Sequence, residues 1–303
     1  MLMMTILSAR EAIEYAGVEG EIVIVDNSDQ NMKAALSTML AGVMKDGKVR
    51  VFHDESPSAA RVIDRCHREA SGEFLFYTDA HCLVGYNTIK ELLDFYEKND
   101  TGKMAFLHAP IQWAHQSKGR RLTHFTTKQS KLGSWAGSQV SKEPRKVTWK
   151  GMPYLIRRSV YLAIDGYGCC AEHGLGWGIM YYLGPKPWLL GYENWAIPSG
   201  ISYHFGEWPE AMRPFTKYRT YASKNQTKHG APIAVACYVF GGEALLKHEY
   251  ENYPMLAKMF STYKEALDTA KKYGEKERQT MQGRMVISYD ELIHRAPWGA
   301  DLT

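Results

Sequence analysis

The stretch Glu73–His81 (EFLFYTDAH) joins an apolar run to a carboxylate and an imidazole that stand two residues apart. The run is apolar on both faces, as a strand must be when helices cover each side of its sheet. Three more runs of this kind occur nearby: Glu21–Asp26 (EIVIVD), Val49–His53 (VRVFH) and Lys103–His108 (KMAFLH). Together they predict four strands of one mostly parallel sheet.

Segments with helical period separate these runs. Ser58 can cap a helix whose apolar residues recur at spacings of three and four, and Gly72 can end it. Thr88–Lys98 (TIKELLDFYEK) repeats the pattern. This regular alternation predicts an α/β fold, in which helices flank a mostly parallel sheet and right-handed crossovers join the strands.

Polar side chains stand at the carboxyl ends of these strands, where open α/β sheets bind their ligands. They are Asp26, His53, Asp54 and Asp79. Asp79 and His81 form a D-x-H pair just where extended backbone gives way to a loop, so both side chains can point the same way and share one divalent cation. The alternative interpretation is a strand-end carboxylate followed by a solvated histidine.

The composition is that of a globular chain. Its 303 residues include 37 Lys+Arg and 33 Asp+Glu, a net charge of +4, and 45% of them are hydrophobic, which excludes a disordered or fibrous protein. The longest apolar run, Ala231–Phe240, has about half of the roughly 20 residues that cross a bilayer, so we expect no transmembrane helix. Five cysteines without C-x-x-C spacing, and no secretion signal, predict a reducing cytoplasm.

Two segments carry a strong excess of basic residues. Ser117–Lys150 has nine Lys and Arg against one acid, and Ala211–Gly230 has five against none, with aromatic residues interleaved. The basic side chains of such a surface can bind the phosphates of a nucleic acid, and its aromatic side chains can stack on the bases. The two segments therefore predict a polyanionic partner such as DNA. The simpler alternative is that these residues form a flexible basic loop, which closes over a smaller anionic ligand.

Met255–Tyr273 carries an apolar stripe with helical spacing, which predicts one helix packed on the sheet. We therefore divide the chain into residues 1–210, with a basic loop region at 117–150, and residues 211–303. The second part combines the basic and aromatic segment with a C-terminal helical extension.

The ordered set of motifs resembles the GT-A-fold glycosyltransferases of the family-two type, which are Rossmann-related, with a D-x-H variant similar to that of the polypeptide N-acetylgalactosaminyltransferases. The motifs that carry the resemblance are, in order, EIVIVDNS (21–28), SAAR (58–61), ASGEFLFYTDAH (70–81), WKGMPYLIRRSVYLAIDGYG (149–168), GLGWG (174–178) and PWLLGYENWAIPSGISYHF (187–205). The resemblance covers the chain from about Glu21 to Phe205.

The resemblance implies a metal site and a donor site within residues 1–210. Asp79, His81 and His204 would hold a divalent cation, Mn²⁺ or Mg²⁺, on the diphosphate of a nucleotide sugar, and mixed imidazole and carboxylate ligands favour Mn²⁺. The donor, UDP-linked in similar enzymes, would be contacted by Asp26, Asp54, Arg61 and Gly151. Asp26 would accept from the base or ribose, and Gly151 would let the backbone approach the sugar.

Two departures from the family pattern concern the first strand and the catalytic base. Similar enzymes begin with an apolar strand, which here is either missing or shortened to Met1–Leu7 before a helix-like stretch. Their acidic pair after a Trp-Gly step is replaced by Ile179–Tyr182. The base for an inverting reaction is then Glu172, Glu193 or Asp165; alternatively the reaction is retaining and the leaving phosphate takes the proton.

The sequence thus predicts a metal-dependent transfer of a sugar to a hydroxyl acceptor, with a hydroxylated base in DNA as the best single acceptor. The acceptor side would be lined by Trp177, Trp208, Lys217 and Arg219. Alternative acceptors are a saccharide, a lipid-linked sugar or a protein. The alternative classes are a catalytically degenerate module that binds nucleic acid or sugar, and a metal phosphohydrolase.

Overall fold

The computed structural model describes residues 1–28, 30–56, 58–113, 120–121, 124–126, 134–136, 143–147, 151–176, 179–205, 226–252 and 254–295. The helices are α1 (Leu2–Ala16), α2 (Gln30–Leu40), α3 (Ala59–Glu69), α4 (Thr88–Asn99), α5 (Arg158–Ala163), α6 (Gly168–Glu172), α7 (Ile179–Leu183), α8 (Lys186–Leu189), α9 (Gln226–Asn252), α10 (Pro254–Met259), α11 (Tyr263–Gln282) and α12 (Tyr289–Arg295). The strands are β1 (Ile22–Asp26), β2 (Val49–His53), β3 (Phe74–Tyr77), β4 (Cys82–Leu83), β5 (Met104–His108), β6 (Ile111–Trp113), β7 (Arg120–Arg121), β8 (His124–Thr126), β9 (Ser134–Ala136), β10 (Arg145–Val147), β11 (Tyr154–Arg157), β12 (Glu193–Ala196) and β13 (Ser202–His204). The α/β class and the four predicted strands, β1, β2, β3 and β5, are confirmed, but β1 and β2 do not share one sheet with β3 and β5 as predicted.

Strands β1 and β2 form a two-stranded parallel sheet of their own. Asp26 lies opposite His53 in its register, so the carboxyl ends of both strands stand side by side. Helix α3 leads from this sheet to β3, and its N-cap is Ser58, as predicted. The Ser58 hydroxyl accepts a hydrogen bond from the backbone N–H of Arg61 at 3.2 Å, and the helix ends at Glu69, before Gly72.

The central sheet has five strands in the order β10-β12-β5-β11-β3. β12 and β5 are parallel, whereas β11 is antiparallel to both β5 and β3, and β10 is antiparallel to β12. The expectation of a mostly parallel sheet is therefore corrected to a mixed sheet. An apolar run shows that a strand is covered on both faces, but it carries no information on strand direction. Because β3 and β5 are both antiparallel to β11, the strands β3, β5 and β12 end at the same edge.

A four-stranded sheet in the order β4-β13-β6-β7 adjoins this edge. β13 is antiparallel to β4, with His204 opposite Cys82, and parallel to β6, with Ser202 opposite Ile111. Since β4 follows the D-x-H pair directly, this sheet connects the end of β3 to the distant β13. Strands β8 and β9 pair with each other in an antiparallel hairpin.

The C-terminal helices pack on the central sheet through one shared hydrophobic core. It includes Phe106 of β5, Tyr182 of α7 and Val235 of α9, all fully buried. Helix α9 is broken at Gly242, whose φ of 72° and ψ of −162° are not helical. No helix within the described ranges combines the length and the apolar character needed to span a membrane.

The prediction of a single helix over Met255–Tyr273 is wrong, because this stretch forms α10 and the start of α11. The chain leaves the helix after Met259, and Thr262 caps the next one. The Thr262 hydroxyl accepts from the N–H of Glu265 at 3.1 Å, while the Glu265 carboxylate accepts from the N–H of Ser261 at 2.8 Å. This reciprocal capping starts a new helix inside a continuous apolar stripe.

Met1–Leu7 forms no separate strand, because Leu2–Ala16 is one helix. Two faces of α1 make different contacts. Ile6 belongs to a cluster with Leu40 of α2 and Val49 of β2, whereas Ala12 belongs to one with Val84 and Ile89. Helix α1 therefore bridges the β1–β2 sheet and the segment that follows the D-x-H pair.

Candidate metal and donor site

Three side chains able to ligate a metal converge beyond the end of β3: Asp79, His81 and His204. Each offers one ligand atom, and these atoms lie within 4.8 Å of one another. Asp79 Oδ2 is 3.6 Å from His204 Nε2, and the ring centroids of His81 and His204 are 4.5 Å apart. The side chains of His204 and Asp79 are 10% and 22% exposed. The structure thus brings together the three ligands predicted from the sequence.

The loop that carries Asp79 and His81 is held from two sides. On the side of the central sheet, the Tyr77 hydroxyl donates a hydrogen bond to Asp79 Oδ1 at 2.9 Å. On the side of α1, the Thr5 hydroxyl donates to the carbonyl oxygen of Ala80, between the two ligands, at 3.0 Å. The position of the loop therefore depends on both β3 and α1.

His204 reaches the cluster because β13 packs closely against the segment after the D-x-H pair. A Cβ atom on Gly85 would lie 2.0 Å from the carbonyl oxygen of Ile201, so only glycine permits this approach. The Thr88 hydroxyl also donates to the carbonyl of Gly200 at 2.8 Å. The N–H of Phe205 donates to the carbonyl of His81 at 3.1 Å, which fixes the two histidines beside each other.

The surroundings of Asp79 and His81 favour the charge states that metal ligation requires. Burial opposes ionisation of Asp79, but the neighbouring imidazoles of His204 and His81 and the Tyr77 hydroxyl outweigh it and lower the pKa of Asp79. Burial also lowers the pKa of His81, which favours its neutral form. A carboxylate with two imidazoles is a donor set that fits a divalent transition metal such as Mn²⁺, so these residues fit the implied ion.

A second group of polar residues stands at the carboxyl ends of β1 and β2. Asp26 is buried, and its Oδ1 accepts from both the N–H and the hydroxyl of Ser28, the N–H at 3.0 Å. Its Oδ2 is 3.2 Å from Nδ1 of His53, whose side chain is exposed enough to meet a ligand. The sequence analysis placed His53 at a strand end, but did not predict its pairing with Asp26.

Both carboxylate oxygens of Asp54 have hydrogen-bond partners within the protein. Its Oδ1 accepts from the N–H of Ser56 at 2.9 Å, and its Oδ2 faces Nε of Arg61 at 3.3 Å and Nη1 of Arg65 at 3.4 Å. Burial opposes ionisation of Asp54, but the Ser56 amide and the Arg61 guanidinium outweigh it and lower its pKa. The side chain of Arg61 is 54% exposed, so its charge can also meet an anionic ligand.

Gly151 is buried shortly before β11. Tyr154 of β11 pairs with Tyr77 of β3, and the two strands are antiparallel. The residues that precede Tyr154 therefore lie next to the residues that follow Tyr77, at the edge that carries Asp79.

None of the candidate bases belongs to the metal-ligand cluster of the described residues. Asp165 Oδ1 pairs with Arg68 Nη2 at 2.9 Å, and Glu193 Oε1 pairs with Lys146 Nζ at 2.7 Å. Glu193 also lies at the start of β12, opposite Met104 at the start of β5, and hence at the far edge of the sheet from the cluster.

Glu172 is exposed at the end of α6. The loop after it approaches β2's carboxyl end, since a Cβ on Gly174 would lie 3.7 Å from Ser56 Oγ and from Ser58 Cβ. The Ser58 hydroxyl donates to the carbonyl of Leu175 at 2.5 Å. Of the three candidates, Glu172 is the one whose loop contacts the predicted donor side.

The predicted acceptor residues Trp177, Trp208, Lys217 and Arg219 lie outside the residues whose placement the structure describes, as do large parts of both basic segments.

Tyr77 and Thr5 were not singled out by the sequence analysis. Tyr77 stands two residues before Asp79, and this spacing puts both side chains on one face of extended backbone, which could have marked it. Thr5 carries no sequence signal, because its contact with Ala80 depends on how α1 packs.

Comparison with known proteins agrees with this architecture. Residues 4–142 match the family model described as Glycosyl transferase family 2. The fold is similar to that of GalNAc-T7 crystallised with UDP, GalNAc and Mn²⁺, at 16% identity and a TM-score of 0.52, over 91% of this chain and 52% of that one. It is also similar to S. aureus TarS 1–349 in complex with UDP-GlcNAc, at 11% identity and a TM-score of 0.54, over 92% of this chain and 88% of that one. No curated protein matches the chain in sequence.

The chain spans about half the length of the GalNAc-T7 chain. At these identities the structural likeness defines the fold, which is GT-A. The match of residues 4–142 to the family 2 model agrees with this fold, which is the one that the motif order predicts.

Proposed function

We propose that the chain transfers a sugar from a UDP-linked nucleotide sugar to a hydroxyl acceptor, with a divalent cation, Mn²⁺ or Mg²⁺, held by Asp79, His81 and His204. The observation that carries the proposal is the convergence of these three ligand atoms within 4.8 Å in a GT-A-fold chain. The UDP found in the GalNAc-T7 and TarS crystal structures supports the choice of nucleotide, and the Mn²⁺ of the former supports the choice of metal.

The reaction joins the acceptor oxygen to the anomeric carbon as the bond from that carbon to the diphosphate breaks. When bound, the cation supplies charge stabilisation to the diphosphate that leaves. The chain's own residues bind the nucleotide. Asp26 offers a carboxylate to the base or ribose, Arg61 a partly exposed guanidinium, and Asp54 holds Arg61 in place. Gly151 lets backbone approach the sugar.

Glu172 is our candidate for the base that takes the acceptor proton in an inverting reaction. Its support is its exposure and the hydrogen bond that ties its loop, at Leu175, to Ser58. Glu193 and Asp165 are held in ion pairs with Lys146 and Arg68. The alternative is a retaining reaction in which the leaving phosphate takes the proton.

For the acceptor we propose a polyanion, with a hydroxylated base in DNA as the specific candidate. The support is the charge of Ser117–Lys150 and Ala211–Gly230, which together hold 14 basic residues (9 + 5) against one acid. Trp177, Trp208, Lys217 and Arg219 would contact it. A saccharide, a lipid-linked sugar or a protein as acceptor leaves the donor site unchanged. A cytoplasmic location also stays a proposal, supported by free cysteines at all five positions.

The experiment is thermal unfolding with UDP, GDP, CDP or ADP, each with and without Mn²⁺, for the unaltered protein and for Asp79→Asn. A ligand that binds only the folded state raises its melting temperature. We expect a rise with UDP that requires both Mn²⁺ and Asp79. The control Asp94→Asn changes an exposed carboxylate paired with Lys90, and should respond like the unaltered protein.

A rise with UDP leads to the acceptor test, in which transfer to hydroxymethylated DNA is compared with transfer to unmodified DNA. If no sugar is transferred to the hydroxymethylated DNA, the proposed DNA acceptor is wrong, while the proposed donor site still stands. Stabilisation by DNA in both the unaltered and Asp79→Asn proteins, with none by any nucleotide, contradicts the transferase and favours a binding module.

A further inference from the structure

The carboxylate of Asp79 has its two oxygens in different roles. Oδ2 lies 3.6 Å from Nε2 of His204, on the side of the proposed cation, whereas Oδ1 accepts the hydrogen bond from the Tyr77 hydroxyl at 2.9 Å. A carboxylate bound through one oxygen cannot rotate freely about its Cβ–Cγ bond. The bond from Tyr77 therefore selects which oxygen faces the histidines.

The ring of Tyr77 is itself fixed by its neighbours. It stacks on His67 at a centroid distance of 5.6 Å and on Tyr154 at 5.2 Å. His67 is buried, with Nδ1 2.6 Å from the carbonyl of Ile63 and Nε2 2.9 Å from the Tyr154 hydroxyl. Because both stacking partners are held by hydrogen bonds, the Tyr77 hydroxyl keeps its direction toward Asp79.

The backbone between the ligands is fixed from the opposite side. Thr5 is 6% exposed, and its hydroxyl donates to the Ala80 carbonyl at 3.0 Å. One turn further along α1, the Ser8 hydroxyl accepts from the N–H of Val84 at 3.0 Å. Helix α1 thus hydrogen-bonds to the backbone at Ala80, between the proposed ligands, and at Val84, after them.

We infer that Tyr77 and Thr5 are positioning residues of the metal site, Tyr77 through the Asp79 carboxylate and Thr5 through the backbone of the loop. The inference rests on the proposed function, since it assigns roles toward the same cation. Residues that hydrogen-bond to metal ligands change metal affinity by roughly 10- to 100-fold when they are removed. We expect Tyr77→Phe to weaken Mn²⁺ binding within this range, and Thr5→Val to weaken it less, because Thr5 touches no ligand atom.

The experiment measures Mn²⁺ affinity directly, by the electron paramagnetic resonance signal of free Mn²⁺, so that no turnover is needed. Tyr77→Phe removes only a hydroxyl, Thr5→Val exchanges a hydroxyl for a methyl group, and each variant has a matched control. Tyr263→Phe removes a hydroxyl that donates to the Glu243 carbonyl, and Thr38→Val removes one that donates to the Ala34 carbonyl. Both controls should bind Mn²⁺ as the unaltered protein does.

A second readout separates positioning from a general loss of structure. With UDP-sugar and an acceptor present, Tyr77→Phe should need more Mn²⁺ for half-maximal turnover but approach the unaltered rate at saturating Mn²⁺. Its melting temperature without metal should stay close to that of Tyr263→Phe. A variant that unfolds early and whose turnover is not restored by Mn²⁺ contradicts the inference.

The outcomes also distinguish this inference from the proposed function. If the unaltered protein binds Mn²⁺ and both Tyr77→Phe and Thr5→Val bind it equally well, the positioning roles are wrong while the metal site stands. If the unaltered protein binds no Mn²⁺, the proposed metal site is wrong and the positioning roles with it.

Discussion

Asp79 and His204 face each other with Oδ2 3.6 Å from Nε2, although one follows a strand of the central sheet and the other ends a strand of the adjoining sheet. The short strand β4 makes this possible, because it continues the chain from Asp79 and pairs with β13. The candidate site is therefore built where two sheets meet, with Asp79 and His81 on a loop and His204 on a strand.

Removing either histidine should abolish tight metal binding. Loss of a residue that only supports a ligand weakens binding by roughly 10- to 100-fold, so loss of a ligand itself should weaken it by at least about 100-fold. We expect this for His81→Ala and for His204→Gln in a Mn²⁺ titration. His294→Ala, which changes an exposed histidine of α12, is the control. Unchanged binding in both ligand variants would contradict the assignment.

Ser58→Ala should affect both stability and nucleotide binding. Ser58 caps α3, and its hydroxyl also donates to the Leu175 carbonyl. Loss of an N-cap lowers the free energy of unfolding by about 0.5–2 kcal/mol, measurable by urea denaturation. Thr262→Ala removes the cap of α11 and should cost a similar amount. Only Ser58→Ala should weaken UDP binding, and equal UDP affinity in both variants counts against a role of this loop in the donor site.

The lowered pKa of Asp54 predicts that the protein loses stability at acidic pH. Its pKa is lowered from 3.8 in the folded protein, so the ionised carboxylate contributes stability above that pH and the contribution is lost as the pH falls through the lower folded value. At about pH 7, Asp54→Asn should therefore have a lower melting temperature than the unaltered protein. The difference between the two melting temperatures should become smaller below about pH 3.8. A gap of the same size across this range would show that the ionised form is not what matters.

The buried ion pair between Lys186 and Glu277 should be sensitive to removal of one partner. Lys186 is fully buried, its Nζ is 2.8 Å from Glu277 Oε1, and burial raises the pKa of Glu277 to about 7. Lys186→Met leaves this acid without its cation, which typically costs about 3–5 kcal/mol of unfolding free energy. Chemical denaturation measures the loss.

Two further variants make this prediction specific. Lys186→Met combined with Glu277→Gln should recover part of the loss, because no charge is then left buried without a partner. Lys264→Met breaks an exposed pair with Asp268 and should change stability little. If the double variant is no more stable than Lys186→Met, the loss of unfolding free energy comes from altered packing and not from an unpaired buried charge.

The strands and the Asp79–His81 pair could be predicted because their signals are local. Runs such as EIVIVD and EFLFYTD require burial on both faces, and the D-x-H pair follows one of them directly. His204 could be proposed only from motif order, since no local pattern reveals that β13 pairs with β4. The resemblance to known transferases supplied what periodicity could not.

The missed features depend on tertiary structure. The direction of β11 follows from its insertion between β5 and β3, which the apolar pattern of YLIR does not encode. The contact of Thr5 with Ala80 depends on the packing of α1, and the break before α11 depends on a cap that interrupts an otherwise continuous stripe. Glu193 and Asp165 were candidates by sequence position, but the structure engages them in ion pairs.

A metal-dependent donor site is tested most directly by a calorimetric titration of UDP into the protein, with Mn²⁺ and with Mn²⁺ removed by a chelator, for the unaltered chain and for Asp79→Asn. We expect UDP binding that is strong only with Mn²⁺ and that falls in Asp79→Asn to the level of the chelated protein. UDP binding of equal strength with and without Mn²⁺, or unchanged in Asp79→Asn, would contradict a metal-dependent donor site at Asp79, His81 and His204.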